Sequence, residues 1–406
     1  MVYTGIYFSN TPYMNRKNWN AYIERQKPAY RVNPFSPEFA ADMVVVIPCY
    51  NEPNLFTTLH SLLEVASPEA KIATVIVFNS SERSTEEGIM QNRSSFKQVG
   101  EFAAINNSDQ RQFLPLLFEG LPRKHAGVGL ARKIGMDLAV EHFFLHDKAD
   151  GVIVSLDADC TVSENFLTEI YHAFSSNGRL NATVHHFHHR VEENSPKLER
   201  AVRQYENYIR YYRAMLRFTG FPWYFHTIGS AFAVKADAYV RVGGMGRQQG
   251  GEDFYFLQKV FSLEGTAELH ELCVCPLARY SDRVPFGTGP ALQKMLNETD
   301  DELRVYSPDA FVILKQLFDR KDAFFKKDAK RVEEVMAELH PALQRFLDDL
   351  NFLDDIADCN NNSASPAAFR KRFFHHFSAF RIVKFLNYVH PDPFPFVKIS
   401  SVTDKC

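Results

Sequence analysis

Three continuous apolar runs constrain the fold of this chain most strongly. They occupy residues 43–48, 73–78 and 151–156, and Val and Ile dominate them. Leucines at helical spacing follow the first run, at positions 55, 59, 62 and 63. Strands that are apolar at every position are typical of a parallel sheet covered by helices on both faces. The sequence therefore predicts an α/β fold with a mixed, mostly parallel central sheet flanked by helices.

A polar cluster follows each of these runs. The clusters lie at residues 51–53, 79–81 and 157–159. In open α/β sheets, ligands bind at the carboxyl ends of the strands, where loops converge and helix N-termini present partial positive charge. We expect the three clusters to meet at that edge.

The third cluster carries two carboxylates one residue apart, Asp157 and Asp159, with Ala158 between them. Such a pair can bind one hard divalent cation, directly or through water, while the cation neutralises a nucleotide diphosphate. A solvated turn is the alternative interpretation. The preceding buried strand favours the metal-binding interpretation.

Two further segments carry charges suited to a ligand site. Gly127 opens a glycine loop that leads into a helix with Arg132 and Lys133, and its amides and cations would suit a diphosphate. A tight loop with a solvated basic helix face stays open as the alternative. Glu252 and Asp253 begin an amphipathic helix, where acids can cap the helix or serve as a general base.

Four motifs, in order and spacing, resemble the family 2 glycosyltransferases. They occupy residues 44–52, 156–159, 229–244 and 251–257, so the resemblance spans about residues 43 to 265. It implies a GT-A fold, a nucleoside-diphosphate sugar donor, Mg²⁺ or Mn²⁺ as cofactor, and usually inversion at the anomeric carbon.

The resemblance also implies roles for individual residues. Asp159 would be the principal metal ligand, Asp157 would face the ribose or the metal, Asp253 would be the catalytic base, and Glu252 would support the acceptor. The residues that would border the nucleoside are Pro48, Tyr50 and Glu52. Many family members carry an Asp-Asp-Gly-Ser type turn after the second strand, whereas this chain has Asn79 there, which could hydrogen-bond a base edge.

Acceptor and lid residues are expected further along the chain. His226, Gly229 and Ser230 lie where the resemblance places acceptor-facing residues. In the polar loop 278–290, Arg279 or Arg283 would clamp the leaving diphosphate, and the Gly/Pro segment would act as a lid over the donor. Asp282 is a further candidate, and a structural turn with an internal ion pair is the alternative. For the histidines at 185, 186, 188 and 189, hydrogen-bonding or acceptor contacts are favoured over metal ligation.

The chain is expected to divide into an N-terminal arm at 1–40, a GT-A catalytic domain at 41–298 and a helical C-terminal region at 299–406. The arm shows no sustained periodicity. The C-terminal helices would pack on the catalytic domain, mediate homo-oligomer formation or contact an anionic membrane surface.

Overall charge and cysteine content limit the partners and the location that the sequence predicts. A net charge of −3 predicts no nucleic-acid partner. Six scattered cysteines, no signal peptide and no long apolar window predict a cytoplasmic protein. A nucleotidyltransferase is disfavoured, because residues 48–53 contain neither glycine nor a cation. An inactive sugar- or nucleotide-binding protein and a retaining glycosyltransferase stay open, as does a saccharide, lipid-linked or small-molecule acceptor.

Overall fold

The computed structural model describes residues 14–26, 30–192, 195–279 and 302–403. These residues form two compact units. The sheet unit comprises Met1–Glu193 and Thr227–Pro290, and the helical unit comprises Asn194–His226 and Ala291–Cys406. Residues 194–226, which fall inside the predicted catalytic domain, therefore group with the C-terminal helices.

The described part of the sheet unit contains one eight-stranded sheet in the order β3-β2-β1-β4-β7-β6-β8-β5. The strands are β1 Met43–Cys49, β2 Ile72–Ser81, β3 Arg111–Leu121, β4 Val152–Ser155, β5 Cys160–Val162, β6 Ala182–Phe187, β7 Phe232–Lys235 and β8 Thr266–Pro276. Strands β3, β2, β1 and β4 run parallel, β7 is antiparallel to β4 and β6, and β8 is parallel to β6 and antiparallel to β5. The predicted mixed, mostly parallel α/β sheet is confirmed.

Helices cover the sheet on both faces. They are α1 Arg16–Ile23, α2 Leu55–Glu64, α3 Glu86–Asn106, α4 Val128–Leu145, α5 Phe166–Ser176, α7 Ala236–Arg241 and α8 Glu252–Phe261, while α6 Pro196–Phe218 belongs to the helical unit. Every residue of β1 is buried, as its uniform apolarity predicts. Helices α2 and α3 pack on one face of β1, and α4 packs on the other. A Cβ on Gly135 of α4 would lie 2.4 Å from a methyl of Val46, so glycine allows this close approach.

Two elements differ from the sequence expectation. Strand β3 has no Val or Ile and contains Pro115. The sequence analysis identified strands by their β-branched runs and therefore did not predict it. The strand lies at the edge of the sheet, where a missing backbone N–H is tolerated. The N-terminal segment, expected to be irregular, contains α1, which Asn15 caps and which Tyr22 joins to Asp137 through a 2.6 Å hydrogen bond.

The helical unit is organised around phenylalanine side chains. Its described elements are α6, β9 Arg304–Val305, α9 Pro308–Asp319, a 3₁₀ turn Lys321–Phe324, α10 Ala329–Ala337, α11 Pro341–Asp349, α12 Phe352–Asn361, α13 Pro366–His376, α14 Ala379–Tyr388, β10 Val397–Lys398 and α15 Ser400–Thr403. Phe318 is buried and contacts Phe373, Phe374 and Phe377 edge to face. None of the helices in the described part of the chain combines the length and apolar character that crossing a bilayer requires.

Candidate active site

A cavity of about 420 Å³ opens at the carboxyl ends of β1, β2 and β4. Its volume lies within the range of small-molecule sites, roughly 300–1,000 Å³. It brings together most of the residues that the sequence analysis assigned to a nucleotide sugar; they are Pro48, Tyr50, Glu52, Asn79, Gly127, Asp157, Ala158, Asp159 and Arg279. The three polar clusters meet because the strands before them are parallel neighbours.

One buried side chain, Asn92 of α3, ties two of these strand ends together. Its Oδ1 accepts a hydrogen bond from the backbone N–H of Asn51 at 2.9 Å, and its Nδ2 donates to the carbonyl of Asn79 at 3.0 Å. Asn51 has a positive φ of 47°, a backbone conformation that asparagine tolerates better than most residues. Sequence reasoning missed Asn92, because nothing in its helical surroundings marks it.

The β2 end of the cavity presents the neutral polar groups of Asn79 and Ser80, and Arg83 lines the cavity just after the strand. Asn79 donates from Nδ2 to the carbonyl of Gly127 at 3.3 Å. Ser80 also lines the cavity, and its buried hydroxyl hydrogen-bonds to no described residue. A buried polar group without a protein partner is the kind of atom that a ligand or water satisfies. The sequence analysis placed Ser80 in the second polar cluster but assigned it no role.

A cluster that we call the outer arginine cluster comprises Arg279, Glu52 and Asp159. Arg279 follows β8, donates from Nη1 to Glu52 at 3.0 Å and from Nη2 to Asp159 at 2.9 Å, and also pairs with the second Glu52 oxygen. The Glu52 side chain is 2% exposed, whereas those of Arg279 and Asp159 are each 21% exposed. All three residues line the cavity.

The inner arginine cluster comprises Arg132, Asp157 and Glu252. Arg132, on α4, donates from Nη2 to Asp157 at 2.7 Å and from Nη1 to Glu252, the first residue of α8. The side chains of Arg132 and Glu252 are only 2% and 3% exposed. The structure thus places Arg132 and Glu252 behind the cavity wall, and of this cluster only Asp157 lines the cavity.

Asp253 lies next to the inner arginine cluster. Burial, and then the negative charge of Glu252, raise the pKa of the Asp253 carboxyl to about 6, while Arg132 acts in the opposite direction. Its Oδ1 accepts from the N–H of Phe254 at 2.7 Å. A carboxyl with such a pKa can exchange a proton near neutral pH.

Gly229 allows Asp253 and Arg132 to reach these positions. A Cβ at Gly229 would lie 2.9 Å from Asp253 Oδ2 and 2.9 Å from Arg132 Nη2. The Gly229 carbonyl accepts a 2.6 Å hydrogen bond from Ser155 on β4, which fixes this backbone beside the sheet. The neighbouring Ser230 is buried.

The oxygen donors at Asp157 and Asp159 suit a hard divalent cation. The described residues hold no group of three or more His, Cys, Asp or Glu side chains that could bind a metal. Mg²⁺ is commonly bound by one or two carboxylates together with substrate phosphates and waters, so this pair of partly exposed aspartates fits such an ion.

Several described sequence candidates do not line the cavity; they are Asp253, Gly229, Ser230, His226 and the histidines at 185 and 189. His185 and His189 are buried, and His185 Nε2 lies 3.0 Å from the hydroxyl of Thr183. His226 is half-buried and belongs to the helical unit. Asp282 and Arg283 lie outside the described residues.

Comparison with known proteins gives one family match and several solved structures. Residues 44–243 match the model of "Glycosyl transferase family 2". The solved structures include S. aureus TarS 1–349 in complex with UDP-GlcNAc, at 11% identity and a TM-score of 0.42, covering 84% of this chain and 91% of that one. GalNAc-T7 with UDP, GalNAc and Mn²⁺ matches at 17% identity and a TM-score of 0.37, covering 78% and 57%. No curated protein matches the chain.

Proposed function

Residues 44–243 belong to glycosyl transferase family 2, and on that premise we propose that this glycosyltransferase moves a sugar from a nucleoside-diphosphate donor to an acceptor hydroxyl with inversion. The observation that carries the proposal is the convergence of Asp157, Asp159 and the β1 and β2 ends on one cavity of about 420 Å³. A solvated turn would not place both carboxylates in a concave site.

The nucleoside is proposed to occupy the β1 and β2 side of the cavity. Pro48 and Tyr50 would border it, and the neutral groups of Asn79 and Ser80 would hydrogen-bond the base edge. Because the Ser80 hydroxyl is buried without a described partner, a base contact would remove the cost of leaving that group unsatisfied.

The diphosphate is proposed to lie between Gly127 and the outer arginine cluster. Arg279 is charged and reaches the cavity, so it can pair with phosphate oxygens. Asp159, with Asp157 beside it, would hold a Mg²⁺ or Mn²⁺ ion, whose charge would stabilise the leaving diphosphate.

Asp253 is proposed to act as the general base. Its carboxylate would take the proton of the acceptor hydroxyl while that oxygen bonds to the anomeric carbon and the bond from this carbon to the diphosphate oxygen breaks. Glu252 is buried against Arg132, so we propose that it positions Arg132 and tunes Asp253 rather than contacting the acceptor.

The acceptor side is less constrained. Gly229 adjoins Asp253. Gly229, Ser230 and His226 each stay a predicted acceptor residue, and Asp282 and Arg283 stay predicted lid residues. A saccharide, a lipid-linked or a small-molecule acceptor, a peripheral membrane contact, a homo-oligomer and a cytoplasmic location stay predictions.

A binding panel tests the donor site. Calorimetry with UDP-, GDP-, dTDP- and CMP-sugars and their nucleotides, each with Mn²⁺ and with EDTA, should give metal-dependent binding of one nucleotide family. Asp159→Asn should remove most of the metal dependence, whereas Glu119→Gln, a surface carboxylate paired with Arg93, should leave it unchanged. If no nucleotide binds with or without metal, the donor-site proposal is wrong. Metal-dependent binding without turnover would favour an inactive binding protein.

A further inference from the structure

A second cavity of about 300 Å³ lies in the sheet unit and shares no lining residue with the first. Its walls come from the end of α1, from Tyr30 and Arg31, from the middle of α4 and from the turn after α7. The proposed donor site uses none of these residues.

The lining of this cavity carries a surplus of positive charge. Arg31 pairs with Glu141 at 2.7 Å, and Lys133 pairs with Asp137 at 2.7 Å, so these four charges compensate one another. Two more cations line the cavity, Arg25 and Arg247. Both are exposed.

Neither of these two arginines pairs with a carboxylate of the described residues. Arg25 donates from Nε to the carbonyl of Ala21 at 2.7 Å, which leaves its terminal N–H groups available. Guanidinium groups of this kind bind phosphate oxygens through paired, charge-assisted hydrogen bonds. The excess charge therefore suits an anion.

The floor of the cavity is apolar and preformed. Leu130, Ile134 and Leu138 are buried and lie on one stripe of α4 at intervals of four residues. Asp137 accepts hydrogen bonds from Tyr22 at 2.6 Å and from Tyr239 at 2.8 Å, which fixes α1 and α7 against α4. The packed α4 side chains therefore form a fixed base for the cavity, and the partly exposed ring of Tyr30 also lines it beneath the cationic rim.

We propose that this cavity binds a small phosphorylated molecule, with its phosphate on Arg25 and Arg247 and its apolar part against Tyr30 and the α4 stripe. The inference goes beyond the proposed glycosyl transfer and does not depend on it, since the two cavities are built from different residues. The chemistry identified is a phosphate group joined to a compact apolar body.

Calorimetric titration with phenyl phosphate tests the proposal, with inorganic phosphate as the probe that lacks the apolar part. Wild-type protein should bind phenyl phosphate more tightly than inorganic phosphate at matched ionic strength. The double variant Arg25→Gln/Arg247→Gln should weaken phenyl phosphate binding at least tenfold, because two charge-assisted hydrogen-bond donors are lost. Both side chains are exposed, so its thermal midpoint should stay near that of wild type.

Two control variants test whether phenyl phosphate binding depends on this cavity and not on cations elsewhere in the protein. Lys17→Gln removes an exposed charge of α1 that does not line the second cavity. Arg279→Gln removes one of the two arginines that line the donor cavity, the other being Arg83. Both should keep the phenyl phosphate affinity of wild type. Equal affinity in wild type and the Arg25→Gln/Arg247→Gln variant, or loss of affinity in Arg279→Gln alone, would overturn the proposal.

Discussion

The inner and outer arginine clusters use the same chemistry at the same sheet edge but differ in their access to solvent. Arg132 is buried between Asp157 and Glu252, whereas Arg279 reaches the cavity while pairing with Glu52 and Asp159. A buried pair holds geometry, because breaking it leaves an uncompensated charge in a poorly solvated place. The Arg279 side chain is 21% exposed and borders the cavity, so it can turn toward an incoming anion at lower cost than a fully buried arginine.

The two arginines therefore have different tasks. We infer that the inner arginine cluster sets the position and pKa of Asp253, and that the outer arginine cluster provides the cation that meets the donor diphosphate. Substitutions in either cluster can therefore separate these two tasks.

We expect the largest effect from Arg132→Gln, which should lower stability. The substitution leaves Glu252 buried without its cation, which costs about 3–5 kcal/mol of the free energy of unfolding. Urea denaturation measures this. Arg111→Gln is the matched control, since Arg111 is also buried but bonds to the carbonyls of Leu62 and Leu63 and to Ser67 instead of to a carboxylate. Equal losses in the two variants would contradict the inner cluster's role.

Arg279→Gln should act mainly on the ligand. We expect nucleotide affinity to fall about tenfold or more, in line with loss of a hydrogen bond to a charged group. The free energy of unfolding should fall less than in Arg132→Gln. Calorimetry with the nucleotide that binds wild type measures the affinity. Arg190→Gln is the control, since Arg190 bonds to the Asp159 carbonyl but does not line the cavity. Unchanged nucleotide affinity in Arg279→Gln would remove the outer cluster from the donor site.

Glu252→Gln should produce the smallest effect, a shift of the pH profile, because Arg132 keeps Asp157 as its counter-ion. Only the ionised Asp253 can accept a proton, so wild-type kcat/KM should rise tenfold per pH unit up to about 6 and then level. Removing the Glu252 charge removes one cause that raises the Asp253 pKa. The acid limb should therefore move to lower pH, toward the ordinary value of 3.8. A limb that stays at the wild-type pH, or moves upward, would contradict this coupling.

The sequence was sufficient for the parts of the site that local patterns encode. Apolar runs predicted β1, β2 and β4, and the carboxylates directly after β4 line the cavity as the parallel sheet required. Strand β3 escaped prediction because it lacks β-branched residues and contains a proline. A strand tolerates that proline at a sheet edge, and edge position is a property of the assembled sheet.

The charge pairing could not be predicted from spacing. Arg132 and Glu252 lie 120 residues apart, and they meet because glycines let α4 approach its neighbours closely. A Cβ on Gly129 would lie 2.2 Å from the carbonyl oxygen of Gln248, four residues before Glu252. From the sequence, Arg132 was assigned to a diphosphate and Glu252 to an acceptor. A linear motif does not reveal which side chains become buried together when two helices pack.

The most direct test of the account is turnover by Asp253→Asn, compared with wild type at saturating donor and metal and followed as nucleoside diphosphate release. If Asp253 is the base, kcat falls by about 10²–10⁴-fold, the usual contribution of a general base, while nucleotide affinity and the thermal midpoint stay near wild type. Turnover close to wild type, with donor affinity unchanged, would show that Asp253 is not the base and would contradict the proposed mechanism.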